Sequence, residues 1–274
     1  MPDDTLTLDT APPATSARVL STELAALAEL AVRHSKHSAY QALHPAVAQL
    51  FGSSAPPAAG KGEAERWRYL LRHVAFDGAR VLDIGANTGF FTMAALQAGA
   101  REVVCYEGNA DHARFIEGTA RALGWHQRLR VVPAYYGFDD RAAEASATPF
   151  DVCLCLNVLH HLGDDFGDAT LAMPQARARM LAGIEHLAGV ARTLVLQLGF
   201  NWQGRRERPL FAAGLKAELI DFVRVGAARH WHCDQVAVAD PATHAYAEAE
   251  ARTLARFDAL GEFFNRPLFV MTLN

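Results

Sequence analysis

The chain has 274 residues, of which 51% are hydrophobic and 20% are charged. This length suits one generous α/β domain with additions, and the apolar fraction excludes a chain that is disordered throughout. The formal net charge of −4 argues against a nucleic-acid footprint over the whole surface, although it leaves room for a local basic groove.

The four cysteines are typical of a reduced protein. Three of them, Cys105, Cys153 and Cys155, fall within apolar strand-like runs, and the chain has no C-x-x-C pair. We therefore expect free thiols in a core. No apolar run reaches the length of a membrane span, and the acidic N-terminus lacks the order of a signal peptide. We expect a cytoplasmic protein with no membrane partner.

The first 61 residues are predicted to form a lead-in and a helical extension. Residues 1–17 are rich in Pro, Thr and Asp, which is typical of disorder. Leu24, Leu27 and Leu30 recur at helical spacing, and a linker of Gly, Ser, Pro and Ala follows this helical part. We therefore place the extension and its linker at residues 18–61 and the main domain at residues 62–274.

The main domain alternates between apolar runs and helical patterns. The predicted strands are 80–84, 102–107, 129–134, 150–157, 192–198, 230–238 and 267–273. The predicted helices are 63–73, 90–98, 109–123, 170–189 (capped by Thr170) and 210–223, with a helical insert at 244–263. This alternation predicts a doubly wound, mostly parallel α/β sheet of seven strands. The last two runs are expected to pair antiparallel.

The segment Arg80–Ala100 holds a strand, a glycine-rich turn and a helix in succession. Asp83 lies near the end of the strand, and Gly85, Asn87 and Gly89 form the turn. Glycines here let a ligand approach the backbone, and the start of the helix presents free N–H groups. The G-x-N-x-G spacing lacks the pyrophosphate fingerprint of dinucleotide sites, which disfavours a dehydrogenase.

The sequence D-I-G-A-N-T-G resembles the glycine-rich motif of class I S-adenosylmethionine (SAM) dependent methyltransferases. The resemblance covers roughly residues 63–274 when the later strands are included, with three or four short specific segments. It implies a Rossmann-like fold, SAM as cofactor and S-adenosylhomocysteine as product. Carried onto this chain, it implies a cofactor site made of Asp83, Gly85, Ala86, Asn87, Gly89, Glu107, Gly108, Tyr135, Tyr136, Asn157 and Val158.

Individual roles follow from the same resemblance. Glu107 ends the second strand, where an acid about 20 residues beyond the turn commonly takes the ribose hydroxyls. Asp83 is expected near the methionine end of the cofactor. Tyr135 stands where the family often has an Asp beside the adenine. Either Tyr135 or Tyr136 is expected to stack on the base or to be a core residue.

The catalytic candidates are His160 and His161. They lie in the sequence NVLHHL, which resembles the segment after the fourth strand in small-molecule and RNA methyltransferases. A histidine at the mouth of this pocket can take the proton of a hydroxyl acceptor, because its pKa lies near working pH. One of the two can instead face the core, and methyl transfer can also proceed by alignment alone.

The acceptor is expected to contact two further stretches. Trp202 offers a stacking face, and Arg205 or Arg206 can clamp an anion, unless this stretch is a solvated loop. Lys36 and Tyr40 belong to an extension that can close as a lid or pack as an ordinary helix. His230, His232 and Cys233 fall close together in the sequence, but no second cluster has zinc-site spacing, so no metal is predicted.

The function predicted from these features is SAM-dependent methyl transfer to a small-molecule or saccharide-like acceptor at a hydroxyl oxygen. One alternative is a tRNA or RNA base-modifying methyltransferase, which requires a continuous basic groove and is disfavoured by the acidic balance. The other is a non-catalytic SAM-binding subunit that contacts a partner through residues 244–263. The intact motif disfavours this second alternative.

Overall fold

The computed structural model describes residues 14–33, 40–56, 60–138, 148–256 and 258–274. Its helices are α1 (Ala14–Val32), α2 (Pro45–Phe51), α3 (Glu63–His73), α4 (Phe90–Gln97), α5 (Ala110–Ala122), α6 (Met173–Leu187), α7 (Lys216–Ala227) and α8 (Gly261–Asn265). Its strands are β1 (Arg80–Ile84), β2 (Glu102–Tyr106), β3 (Leu129–Val132), β4 (Phe150–Leu156), β5 (Ala191–Gln197), β6 (Trp231–Ala239), β7 (Tyr246–Glu248) and β8 (Leu268–Leu273).

The strands of this part of the chain form one sheet with the order β3-β2-β1-β4-β5-β8-β6-β7. The first five strands are parallel, while β8 runs antiparallel to both β5 and β6. The predicted doubly wound, mostly parallel sheet is therefore confirmed, as is the antiparallel pairing of the last two predicted runs. The strand number was predicted too low, because β7 adds an eighth strand beside β6.

The helical prediction for residues 244–263 is wrong. The carboxylate of Asp240 accepts hydrogen bonds from the N–H groups of Ala242 and Thr243, and His244 adopts a positive φ of 62°. This turn directs Tyr246 back against Ala239, so the alanine-rich stretch opens as a β-hairpin. Turns and the short helix α8 follow. The helix propensity of the alanine-rich composition is therefore outweighed here by the hydrogen-bonded turn at Asp240.

Side chains alternate between the two faces of the sheet, as strand geometry requires. On β1, Leu82 and Ile84 pack with the α6 and α7 side, whereas Val81 packs with the α4 and α5 side. Cys105, Cys153 and Cys155 are buried in this core, and all four cysteines are free thiols. Within the described ranges, no helix combines the length and the hydropathy needed to cross a membrane.

The described part of the N-terminal extension contacts the α5 side of the sheet. Leu27 of α1 packs directly against Gly118, and Arg33 forms an ion pair with Asp111 at 3.4 Å. The side chain of Gln41 accepts a hydrogen bond from the N–H of Phe90 at 2.9 Å, at the start of α4. The division of the chain into an extension and a main domain stays a prediction.

Helix α6 begins at Met173, three residues after the predicted cap. Thr170 instead bonds to the carboxylate of Asp168 through both its N–H and its hydroxyl, each at 2.7 Å. The N–H of Ala172 donates to the Gln175 side chain at 2.8 Å and so takes over the capping position. Pro174 lies in the first turn, as predicted.

Candidate functional site

A cavity of about 250 Å³ lies at the carboxyl ends of β1, β2 and β4. This edge is where ligands bind in open α/β sheets. Its walls are formed by Tyr40, Gln41, Ile84, Gly85, Asn87, Tyr106, Glu107, Gly108, Asn109, Ala134, Tyr135, Tyr136, Asn157, Val158, His161, Asp165 and Phe166. Most of the residues predicted to hold a cofactor therefore surround one space.

The glycine turn is shaped by backbone that only small or permissive residues can adopt. Gly85, Asn87 and Gly89 have positive φ values of 72°, 55° and 83°. A Cβ atom on Gly85 would come within 2.7 Å of Val158, and one on Gly89 within 2.9 Å of Ile116. Gly89 and the buried Ala86 do not line the cavity, so they shape the turn from behind.

Glu107 holds its carboxylate at the cavity wall with backbone hydrogen bonds. Its Oε2 atom accepts from the N–H of Asn87 at 2.6 Å, and its Oε1 atom accepts from the N–H of Asn109 at 2.8 Å. The residue is only 8% exposed. Each oxygen of a carboxylate can accept two hydrogen bonds, which suits the binding of ligand hydroxyls.

Asp83 lies behind the turn rather than in the cavity. It is 3% exposed, and its Oδ2 atom accepts a hydrogen bond from the hydroxyl of Thr92 in α4 at 2.7 Å. Burial raises the pKa of this carboxyl to about 6. The expectation that Asp83 itself contacts the methionine end is therefore corrected, because strand alternation turns its side chain toward α4.

The two adjacent tyrosines have different environments. Tyr135 is 53% exposed, and its ring lies directly over Gly108 at the cavity mouth. Tyr136 is buried, with its ring edge-on to Tyr106 at 5.0 Å and its hydroxyl 3.1 Å from His186 Nε2. Of the two, Tyr135 is the candidate for stacking on a base, while Tyr136 belongs to the core wall.

The turn after β4 is held by side chains. Asn157 adopts a positive φ of 64°, donates from Nδ2 to Gln197 at 3.0 Å and accepts at Oδ1 from Arg266 at 2.8 Å. Its side chain is therefore engaged within the protein. Any contact between Asn157 and a ligand is expected through its backbone.

The two adjacent histidines also have different environments. His160 is 0% exposed, accepts a hydrogen bond at Nδ1 from the N–H of Gly199, and does not line the cavity. Burial holds the pKa of His160 well below its ordinary value. The prediction of His160 as a base is wrong, because the β4 turn directs it into the core.

His161 lines the cavity, and its Nδ1 atom lies 3.3 Å from Oδ2 of Asp165. A carboxylate at this position can orient an imidazole for proton transfer. Sequence reasoning missed Asp165, although its spacing of four residues from His161 was visible. Asp164 adds a third group, and the ligand atoms of the three lie within 4.8 Å of one another, an arrangement that exposed acids often adopt without a metal.

The predicted acceptor residues are only partly brought together. Tyr40 lines the cavity and meets Phe263 edge-on at 5.2 Å, whereas Lys36 lies outside the described residues. The stacking prediction for Trp202 is wrong, because it is buried and donates from Nε1 to the carbonyl of Leu162 at 2.6 Å. Arg205 and Arg206 are exposed, and neither lines the cavity, which favours a solvated loop.

No family model matches the chain. A segment of 99 residues is 31% identical to the ubiquinone biosynthesis O-methyltransferase of Xylella fastidiosa strain 9a5c. This match covers 36% of the chain and 38% of that relative, so the chain spans well under half the length of the curated relatives it matches.

The solved structures extend the likeness over most of the chain. The bifunctional kinase-methyltransferase WbdD superposes with a TM-score of 0.52 at 17% identity, covering 90% of this chain and 46% of that protein. Magnesium protoporphyrin IX methyltransferase from Synechocystis PCC 6803, solved with bound SAM, superposes at 0.47 with 15% identity, covering 78% and 79%. The fold expected from the resemblance is thus shared with the WbdD chain.

Proposed function

We propose that this protein is a SAM-dependent methyltransferase acting on a small-molecule or saccharide-like acceptor at a hydroxyl oxygen. The observation that carries the proposal is the convergence on one cavity of the Gly85 turn, the Glu107 carboxylate and the His161–Asp165 pair. The first two suit a nucleoside with free hydroxyls, and the third suits removal of a proton.

The residues present fit such a cofactor. Glu107 is a buried carboxylate that faces the cavity, where it can accept hydrogen bonds from two ribose hydroxyls. Gly85 and Gly108 let Val158 and Tyr135 pack directly on the backbone of the wall, and Tyr135 supplies a ring for the adenine. The methionine part then lies toward Asn157 and Tyr40.

The cavity is smaller than the roughly 300 Å³ at which ligand pockets usually begin. Tyr135 is the wall residue that can yield, because about half of its surface already faces solvent. We therefore expect its ring to move outward when the nucleoside enters.

In the proposed mechanism, SAM supplies an electrophilic methyl group on its sulfonium. The walls around Asn157 and Tyr40 align the acceptor oxygen with that methyl carbon, and this alignment provides most of the rate. His161 would take the proton of the acceptor hydroxyl at Nε2 as that oxygen receives the methyl group that bound SAM would supply, with S-adenosylhomocysteine as the other product. Asp165, whose Oδ2 atom lies 3.3 Å from Nδ1, stabilises the imidazolium that results.

The proposal is tested in two stages. Calorimetric titration with SAM and S-adenosylhomocysteine measures cofactor binding, and the absence of heat with both would overturn the proposal. Incubation with methyl-labelled SAM and separate fractions of host metabolites, glycans and RNA then identifies the acceptor. Label in the metabolite or glycan fraction is the expected result. Label confined to the RNA fraction would replace the acceptor class with nucleic acid.

A further inference from the structure

A buried group of polar side chains lies under the turn that follows β4. Arg66 and Asn157 both donate to Oε1 of Gln197, at 2.8 and 3.0 Å, and the Gln197 amide donates to the carbonyl of Arg266 at 3.0 Å. The Arg266 guanidinium completes the group by donating to Asn157 Oδ1 at 2.8 Å. These residues come from α3, the turn after β4, β5 and the link between α8 and β8, so the group connects distant parts of the chain.

Arg266 is the member that reaches the cavity wall from behind. It is 3% exposed, and its second terminal nitrogen donates to Glu262 at 2.6 Å, which balances its charge. Its guanidinium packs 4.1 Å from the centre of the Phe263 ring and also bonds to the hydroxyl of Tyr40. Two residues that line the cavity, Asn157 and Tyr40, are thus fixed by one arginine that does not line it.

The backbone at Asn157 has an uncommon conformation that its side-chain partners help to hold. Its φ of 64° is positive, and its side chain bonds to both Gln197 and Arg266. The adjacent Val158 packs directly on Gly85. A shift of the turn would therefore change the space between the β4 turn and the glycine turn.

Packing alone does not account for a guanidinium at this position. Taking a charge out of water is costly, and Nε of Arg266 is buried without an acceptor among the described residues. A hydrophobic side chain would fill the same volume without that cost. Arg266 does what an apolar residue cannot do, which is to hold the Asn157 amide oxygen in one direction.

We propose that Arg266 is a positioning residue, which through Asn157 fixes the turn after β4 and so shapes the methionine end of the cofactor cavity. This inference rests on the proposed function, because it assigns the Asn157 end of the cavity to the amino-acid part of SAM. The adenosine end, at Glu107 and Tyr135, shares none of these contacts.

The test compares two ligands that differ only at the inferred end. S-adenosylhomocysteine carries the amino-acid part, and 5′-methylthioadenosine lacks it. In Arg266→Gln, the Kd of S-adenosylhomocysteine should rise at least about tenfold, as expected from loss of a charge-assisted hydrogen bond. The Kd of 5′-methylthioadenosine should stay within about twofold. Arg266→Lys keeps the charge without the fork and should fall between wild type and Gln.

Arg256→Gln is the matched control. Arg256 lies in the same segment, donates to the carbonyl of Gly214 and packs on Phe200, and it does not line the cavity. Both Kd values should stay at wild-type levels in this variant. Equal weakening of both ligands in Arg266→Gln would indicate a general loosening and overturn the inference, as would unchanged binding of S-adenosylhomocysteine.

A double-mutant cycle identifies the route of the effect. Asn157→Gly preserves the positive φ without needing an anchor. In that background, Arg266→Gln should cost much less affinity for S-adenosylhomocysteine than in wild type, since the two changes act on one turn. Equal costs in both backgrounds would contradict a role through Asn157. Wild-type protein that binds neither ligand would instead refute the proposed function itself.

Discussion

The two walls of the cavity are held in different ways. At β1 and β2, backbone N–H groups fix the Glu107 carboxylate, and glycines define the turn. At β4 and β5, side chains from remote segments fix Asn157, and the His161–Asp165 pair stands at the edge. A wall held by backbone depends on few side chains, whereas a wall held by side chains depends on each of its members.

This difference separates binding from turnover. The backbone-held wall presents groups suited to recognising a nucleoside, and its geometry is set within a short stretch of chain. The wall held by side chains carries the candidate proton acceptor and the residues to which we assign the methionine end of the cofactor. We therefore expect substitutions in the first wall to act on cofactor affinity and those in the second to act mainly on rate or on one end of the ligand.

The largest expected effect is on turnover, at His161. His161→Ala should lower methyl transfer by about 10²–10⁴-fold, because a general base contributes that much. SAM affinity should stay near the wild-type value. The measurement is initial rate with labelled SAM and the acceptor fraction found to be active, together with calorimetric Kd.

His160→Ala is the control for this prediction. His160 is fully buried beside Gly199. Its removal should therefore lower the midpoint of thermal unfolding and should have no specific effect on the rate of methyl transfer. Equal rates in His161→Ala and wild type would remove the base from the mechanism and leave alignment alone.

The next effect is on affinity, at Glu107. Glu107→Ala removes the acceptors of two backbone N–H groups and the proposed acceptor of the ribose hydroxyls, so SAM binding should weaken by about 100-fold. Glu102→Ala is the matched control, because it removes the same side chain from the other end of β2, where it pairs with Arg80. Wild-type SAM affinity in Glu107→Ala would show that the ribose binds elsewhere.

The backbone-held wall could be predicted from sequence because its parts are close along the chain. The turn residues and Glu107 follow consecutive strands, and parallel topology brings their ends to one edge. The other wall could not be predicted in the same way. Nothing near Arg266 in the sequence marks it as a partner of Asn157, because that contact depends on the antiparallel placement of β8 beside β5.

The orientation of single side chains also could not be predicted from the sequence. His160 and His161 are adjacent residues of the same type, yet the first is buried and the second lines the cavity. Only the path of the turn after β4 decides which of the two is buried. Trp202 shows the same effect, since its indole N–H finds a carbonyl inside the protein. The sheet itself could be predicted because each strand is marked by an apolar run of several residues, so the orientation of any single side chain matters little.

A smaller effect, on stability, is expected at Asp83. Its pKa is raised from an unfolded value near 3.9 to about 6, so the folded state binds the extra proton between these values. This group therefore lowers stability progressively as pH rises from about 4 to 6, and the loss is complete above that window. Asp83→Asn removes the charge and should raise the unfolding free energy at pH 8 by about 3 kcal/mol.

The pH dependence of the difference is the decisive measurement for Asp83. Urea unfolding of both proteins at pH 4 and pH 8 should show a small difference at pH 4 and the full difference at pH 8. A difference that is the same at both pH values would contradict a buried carboxylate with a raised pKa. Because Asp83 does not line the cavity, SAM affinity should change little in Asp83→Asn.

The smallest expected effect is at Gln41, where the N-terminal extension meets the backbone-held wall. Its Oε1 atom accepts from the N–H of Phe90 and from the hydroxyl of Thr88, so it closes the first turn of α4 from outside. Gln41→Ala should cost about 1 kcal/mol of stability, the usual value of such a bond, and about fivefold in SAM affinity. Gln97→Ala, at the other end of α4 and exposed, is the control. Wild-type SAM affinity in Gln41→Ala would show that the extension packs against the glycine turn without shaping it. The shape of that wall would then depend only on β1, β2 and the backbone of the turns that follow them.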